Sequence, residues 1–195
     1  MSEKKLFPVT VVGSWPRPAY LIQALRKRQS GGTEQEFQAV ADRAVIECLD
    51  AQEQAGVDIP TDGEQRRDNF YSFVVEKLGG MRLMKVSELM DFMKDRARYE
   101  EVLRALDVPA FAIKSPIVVD RLTEKNGLAQ DEVDFAKKHT SRPLKVPLPG
   151  PYMLTRSSWF EGLSNKVYPQ PEDLAKDVVR ILRKEVLALK AKGVE

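Results

Sequence analysis

The chain has 195 residues, 43% of them hydrophobic and 31% charged, and a formal net charge of +2. That balance fits a soluble globular protein with enough chain for one large domain or two small ones. Acidic and basic residues are interspersed, which argues against a nucleic-acid partner, and no apolar run approaches the ~20 residues of a membrane span.

The N-terminal "MSEKKLF" lacks the apolar core of a signal peptide, so a cytoplasmic location is expected. Val9–Pro18, "VTVVGSWPRP", reads as a strand (Pro8 to Ser14) breaking into Gly-Ser-Trp-Pro. Ala19 to Gln29 reads as a short helix with "ALRKRQ" on a solvated face, ended by Ser30-Gly31-Gly32. Thr33 with Glu36 makes a capping box that opens a long amphipathic helix to about Ala55, stopped by Gly56. Cys48, the one cysteine, falls on that helix's apolar stripe and reads as a small core residue. A lone cysteine excludes an internal disulfide and fits a reducing compartment.

"VDIPTDGE" is a short strand running into Thr61-Asp62-Gly63-Glu64. Asp68 to Leu78 reads as helix, and Met81 to about Leu106 as helix or an inserted excursion, with 81–114 as its outer limits. Ser115 to Leu122 has strand character, Ala129 to His139 is helical, and Arg142 to Pro151 returns as a strand ending in Pro-Gly-Pro. His139 closes its helix as a surface cation. One cysteine and one histidine do not make a zinc site of about four ligands. A last helix starts near Pro171 and buries Leu174, Val178, Ile181, Leu182, Val186 and Leu189 on one face.

Strands alternating with helices predict parallel strands in an α/β fold. The closing "VE" after Gly193 reads as the start of another strand, so residues 1–195 are expected to be the N-terminal portion of one barrel, a fold of typically ~250 residues. In such folds the loops after the strands build the site. Three strand ends are unusual: Gly13-Ser14-Trp15, Asp62-Gly63-Glu64 and Pro149-Gly150-Pro151. Glu64 there is either a ligand for a substrate ammonium or an ion-pair partner of Arg66 or Arg67, and spacing does not choose between them. Ser14 on spacing alone is a turn or cap hydroxyl.

"VTVVGSWPRP", "AQEQAGVDIPTDGEQRRDNF" and "RPLKVPLPGPYML", in that order, resemble the catalytic barrel of the cobalamin-independent methionine synthase family. The resemblance implies a (β/α)8 TIM barrel of which this chain supplies roughly the first half. It implies methyl transfer from a methyltetrahydrofolate-type donor to the thiol of homocysteine, with zinc holding the sulfur as a thiolate nucleophile. It places Val12, Gly13 and Ser14 against the backbone of the amino acid and Glu64 on its ammonium. Trp159 is the nearest match to the family's folate-facing tryptophan, about two residues late.

The departures are specific. The family's histidine before Gly-Glu is Asp62 here, and its folate-touching Arg-Cys pair is Phe111-Ala112. The family's zinc ligands lie in the other half of the barrel, so no catalytic or metal-ligating residue is expected in this chain and the chain alone is expected to be inactive. Two other readings stay open: a zinc-dependent thiol alkyltransferase with another donor or thiol, and a non-catalytic half-barrel that pairs with a partner chain.

Overall fold

A computed structural model describes residues 6–92 and 114–194. In chain order the elements are α1 (Ala19–Gln29), α2 (Glu34–Gln54), α3 (Val74–Lys77), β1 (Leu78–Lys85), α4 (Val86–Leu89), β2 (Lys114–Glu124), α5 (Gln130–Ala136), α6 (Pro151–Ser158) and α7 (Pro171–Ala191). They divide into two units. The first holds Met1–Phe70, Ala129–Leu148 and Val186–Glu195; the second holds Tyr71–Leu128 and Pro149–Glu185.

In the first unit, the helices follow their local signals. Thr33 accepts from the Glu36 amide while the Glu36 carboxylate takes the Thr33 amide, completing the capping box. α2 ends at Gly56, whose φ of +83° suits a residue without a side chain. α1 packs on α2 through Leu21, Phe37, Ala41 and Ala44. Further along α2, Val45 and Leu49 pack with Ala136 and Leu144.

The expected strands of this unit are extended segments rather than long ladders. Thr10 and Ile59 form a parallel bridge, and Asp58 and Ile59 both donate to the Val9 carbonyl. Lys145 donates to the Pro60 carbonyl. Pro60, Pro143 and Pro147 lack the amide donor that a continuous ladder needs, which is why pairing is intermittent.

The second unit departs further from the sequence expectation. Among the described residues, the one regular sheet is antiparallel, β1 against β2. The strand expected at Ser115–Leu122 is present within β2. The helix expected over Asp68–Leu78 shrinks to α3, and Met81–Lys85 is strand. Arg, Leu, Met and Lys are good helix formers, and pairing with the β-branched "SPIVVD" segment overrides that preference.

The register slips between Gly79 and Met81. Gly80 occupies the slip at φ +83°, where a Cβ would lie 2.3 Å from the Arg121 carbonyl oxygen. Of the expected excursion at 81–114, residues 93–113 lie outside the described residues. The unit's core gathers Met84, Leu89 and Ile117 with Phe160 and Leu163.

α7 matches its expected start and stop. Leu174, Val178, Ile181, Leu182 and Leu189 are buried, but Val186, which periodicity places on the same face, is 54% exposed.

Candidate functional site

The stretch Thr61–Arg67 is almost wholly buried, although its residues are polar. Burying such a segment is costly unless most of its polar groups find partners. Gln52, in the last turn of α2, supplies both halves of a backbone-like pairing. Its amide nitrogen donates to the Thr61 carbonyl at 2.8 Å, and its oxygen accepts the Thr61 amide at 3.0 Å. The Thr61 hydroxyl then accepts the Gly63 amide, and an Asp62 carboxylate oxygen accepts the Glu64 amide, each at 3.0 Å. These short side-chain turns steer the backbone into left-handed conformations at Gly63 (φ +67°) and Glu64 (φ +55°).

Gly63 could not be replaced without displacement, since a Cβ there would meet Cys48 Sγ at 2.5 Å and Trp15 Cβ at 2.7 Å. Glu64 is the one described non-glycine residue with positive φ, a conformation that costs of order 1–3 kcal/mol and persists only where its surroundings enforce it.

The charges around Glu64 are arranged unevenly. Arg67 is spent on Glu132: its Nε lies 3.0 and 3.2 Å from the two carboxylate oxygens and its Nη2 lies 2.6 Å from one of them. Its Nη1 donates to the Pro147 carbonyl at 2.9 Å. The Glu64 carboxylate reaches only 3.9 Å from that Nη1. Arg66 turns away, pairing with Asp42 and lying over the Phe135 ring at 3.9 Å. Of the two arginines weighed as partners, Arg66 is therefore out and Arg67 is a distant one.

Burial pushes Glu64 above the usual carboxylate range; Arg67 and Arg17 oppose this and Asp62 adds to it. Burial, with Asp62 beside it, also pushes Glu132 up to about 7, against the pull of Arg67. One Asp62 oxygen is buried with no hydrogen-bond partner among the described residues. Three acidic side chains, Asp62, Glu64 and Glu132, thus share two guanidinium groups, Arg67 and Arg17, both already engaged, which leaves room for a further cationic group such as an ammonium.

The first turn meets this one directly. The Trp15 amide donates to the Gly63 carbonyl at 3.1 Å, and the Gln65 side-chain nitrogen donates back to the Trp15 carbonyl at 3.0 Å. Val12 is 92% exposed, and Gly13 and Ser14 are exposed beside it. Gly13 sits at φ +82° with nothing within 4 Å of where a Cβ would stand. The backbone at Gly13 is thus open to an approaching molecule, whereas Gly63 is packed shut.

The remaining singled-out residues are placed separately. Trp159 belongs to the second unit, half-buried, with its indole N–H donating to the Tyr168 carbonyl at 3.0 Å. Cys48 is buried in the core as expected; burial pushes its thiol up to about 12, so it stays protonated at neutral pH. His139 is exposed and lies against Phe135.

Among the described residues no group of three or more His, Cys, Asp or Glu is placed to hold a metal ion. The donors present do not fit zinc, because a buried protonated thiol and a surface imidazole form no pocket of soft ligands. Among the described residues no helix is long and apolar enough to cross a membrane.

Arg17, Gln52, Gln65 and Glu132 were not singled out from the sequence, and Arg67 only as a possible partner of Glu64. A buried "DGEQRR" carries more charge than it can hide alone, which is the one local sign that distant partners must exist.

The sequence from residue 7 to residue 195 matches the family described as cobalamin-independent synthase, catalytic domain. A methionine synthase from Sulfurisphaera tokodaii is 31% identical over 195 residues, 99% of this chain and 51% of that protein. One from Pyrococcus horikoshii is 30% identical over 98% of this chain and 50% of its own length. Among solved structures, a B12-independent methionine synthase from Shewanella sp. W3-18-1, in complex with selenomethionine, superposes with a TM-score of 0.69. It is 24% identical, and the match covers 97% of this chain and 50% of that one. A putative vitamin-B12-independent methionine synthase from Listeria monocytogenes gives 0.66 at 19% identity, over 96% of this chain and 51% of that one. The chain spans about half the length of the curated relatives it matches. On the match that runs through nearly its whole length, the chain belongs to the cobalamin-independent synthase catalytic-domain family.

Proposed function

We propose that this chain is the N-terminal half of a (β/α)8 barrel and carries the amino-acid-binding half of a methyltransferase site. The acceptor is homocysteine, gripped by the backbone of Val12, Gly13 and Ser14 at one turn and by the Glu64 carboxylate through its ammonium. The observation that carries this reading is Glu64. It is 1% exposed, held in a left-handed conformation, and 3.9 Å from an arginine that belongs to another carboxylate. A buried carboxylate standing 3.9 Å from a guanidinium that it shares with another acid is expensive, and a ligand ammonium would supply a closer positive charge. The amino acid selenomethionine in the similar Shewanella protein supports the same class of ligand.

The remaining chemistry belongs to the complete protein, set in the cytoplasm. Zinc would hold the acceptor sulfur and would need ligands outside this chain, which by itself would be inactive. The methyl donor is of the methyltetrahydrofolate type, with Trp159 offered to it through its ring because its N–H is committed to Tyr168. A zinc-dependent thiol alkyltransferase with a different donor is the second reading. Asp62 favours it: a buried acid with an unpartnered oxygen stands where the family has a histidine. Phe111 and Ala112, the other departures, lie outside the described residues.

The test is calorimetric titration of the complete polypeptide with L-homocysteine, wild type against Glu64→Gln. Removing the charge is expected to weaken binding by about 2–5 kcal/mol, the range for truncating one partner of a buried charge pair. Unchanged affinity would return Glu64 to a structural partner of Arg67.

A further inference from the structure

The two turns of the proposed amino-acid site come from segments 50 residues apart and have no regular sheet between them beyond one bridge. Something must fix one against the other, because a clamp on an amino acid loses affinity if its two jaws move independently. One side chain reaches both ends of the Glu64 turn. The Arg17 Nη2 donates to the Glu64 carbonyl at 3.3 Å and to the Arg67 carbonyl at 2.9 Å. Arg17 follows directly on the Gly13–Pro16 turn, so its own backbone is part of the first jaw. Pro16 and Pro18 on either side restrict that backbone.

The arrangement is that of a bracket. Two carbonyls of one turn point at a single guanidinium nitrogen, which holds the peptide plane after Glu64 and the far end of the turn, while the plane before Glu64 is held at the Gly63 carbonyl by the Trp15 amide and the Gln65 side chain. A left-handed residue is defined by those planes, so holding them holds the direction of the Glu64 side chain. Gln65 completes the frame from the other side. Its side-chain nitrogen is committed to the Trp15 and Gly63 carbonyls at 3.0 and 3.1 Å, which also fixes its amide orientation. Among the described residues, the bracket leaves the Arg17 Nε buried without a hydrogen-bond partner. A guanidinium chosen for packing alone would have no reason to aim at two carbonyls 47 and 50 residues away while leaving another donor unmet.

We propose that Arg17 is a positioning residue that locks the Gly13–Ser14 turn to the Glu64 turn and so sets the carboxylate that receives the amino group of the substrate. The inference rests on the amino-acid reading of the site. Arg17 touches no reacting atom in this account; it acts through Glu64.

The experiment compares L-homocysteine with the same thiol acid lacking the amino group, titrated into the complete polypeptide. Wild type is expected to favour the amino acid, and Glu64→Gln to erase that preference. Arg17→Ala is expected to cut the preference by roughly tenfold or more, with affinity for the analogue held near the wild-type value. Arg17→Lys, which can still donate to a carbonyl, is expected to restore part of it. Should the alanine variant fail to fold, Arg17→Met keeps the packing volume and carries the same expectation. Equal weakening towards both ligands would mean general loosening and overturn the proposal. If Glu64→Gln erases the preference while Arg17→Ala retains it, the positioning role falls and the amino-acid site stands. If wild type shows no preference, or Glu64→Gln leaves it intact, the amino-acid reading itself fails.

Discussion

The turn at residues 61–67 and the slip in the β1–β2 hairpin both hold backbone in left-handed conformations, at Glu64 and at Gly80. They do so by different means. The hairpin uses a glycine and the ladder on either side of it, so the backbone enforces its own shape. The turn uses side chains: Gln52 from nine residues away, Arg17 from 50 and Glu132, paired with Arg67, from 65. A ladder with a glycine costs little to maintain and carries no charge. A scaffold of buried polar side chains is expensive unless every partner is present, and it leaves charge where a ligand can use it. The difference separates a feature that only shapes the chain from one that also gathers buried charge.

The largest effect should come from breaking the polar scaffold. Glu132→Ala leaves the Arg67 guanidinium buried without its carboxylate, and about 3–5 kcal/mol of unfolding free energy should be lost in a urea titration. A loss below about 1 kcal/mol would mean that the pair is not what supports the turn. The hairpin should respond by a smaller amount and for a purely steric reason. Gly80→Ala faces both an unfavourable φ and a carbonyl 2.3 Å from the new Cβ. Gly13→Ala faces the φ alone, in open space. Both should lose about 1–3 kcal/mol of unfolding free energy, Gly80→Ala the more, and equal losses would remove the steric distinction.

The finest test of the contrast is pH. Glu132 is pushed from an ordinary value of 4.5 up to about 7, chiefly by burial. Between those values the folded chain holds a proton that the unfolded chain has released, so this group favours folding at the acid end. That contribution is lost as pH rises through about 7, with a slope no steeper than about 1.4 kcal/mol per unit. Glu64 acts in the same direction. Thermal unfolding from pH 5 to 8 should therefore show wild type losing stability more steeply than Glu132→Gln. Parallel curves would mean that Glu132 titrates as an ordinary carboxylate.

The same contrast explains what the sequence made legible. α1, the Thr33 cap, the Gly56 stop and the Pro171 start are written in residues within one or two turns of each other, and each was readable in place. β1 was misread because its residues favour helix and only its pairing with β2 makes it a strand. At the candidate site, the open Gly13–Ser14 turn and the acidic Glu64 announced themselves at strand ends. Their supports did not. Arg17 meets Glu64 across 47 residues and Arg67 meets Glu132 across 65, distances at which one sequence carries no pairing signal. The proline-interrupted segments show a related limit: their extended character was visible, but not that missing amides would confine pairing to single contacts.

The proposed role of the Glu64 carboxylate, buried 3.9 Å from a guanidinium it shares with Glu132, is to receive the ammonium of an amino acid. Titration of wild type and Glu64→Gln with L-homocysteine tests it most directly. Wild type should bind measurably, and the variant should bind with an affinity roughly 30-fold or more weaker. Equal affinities would contradict it.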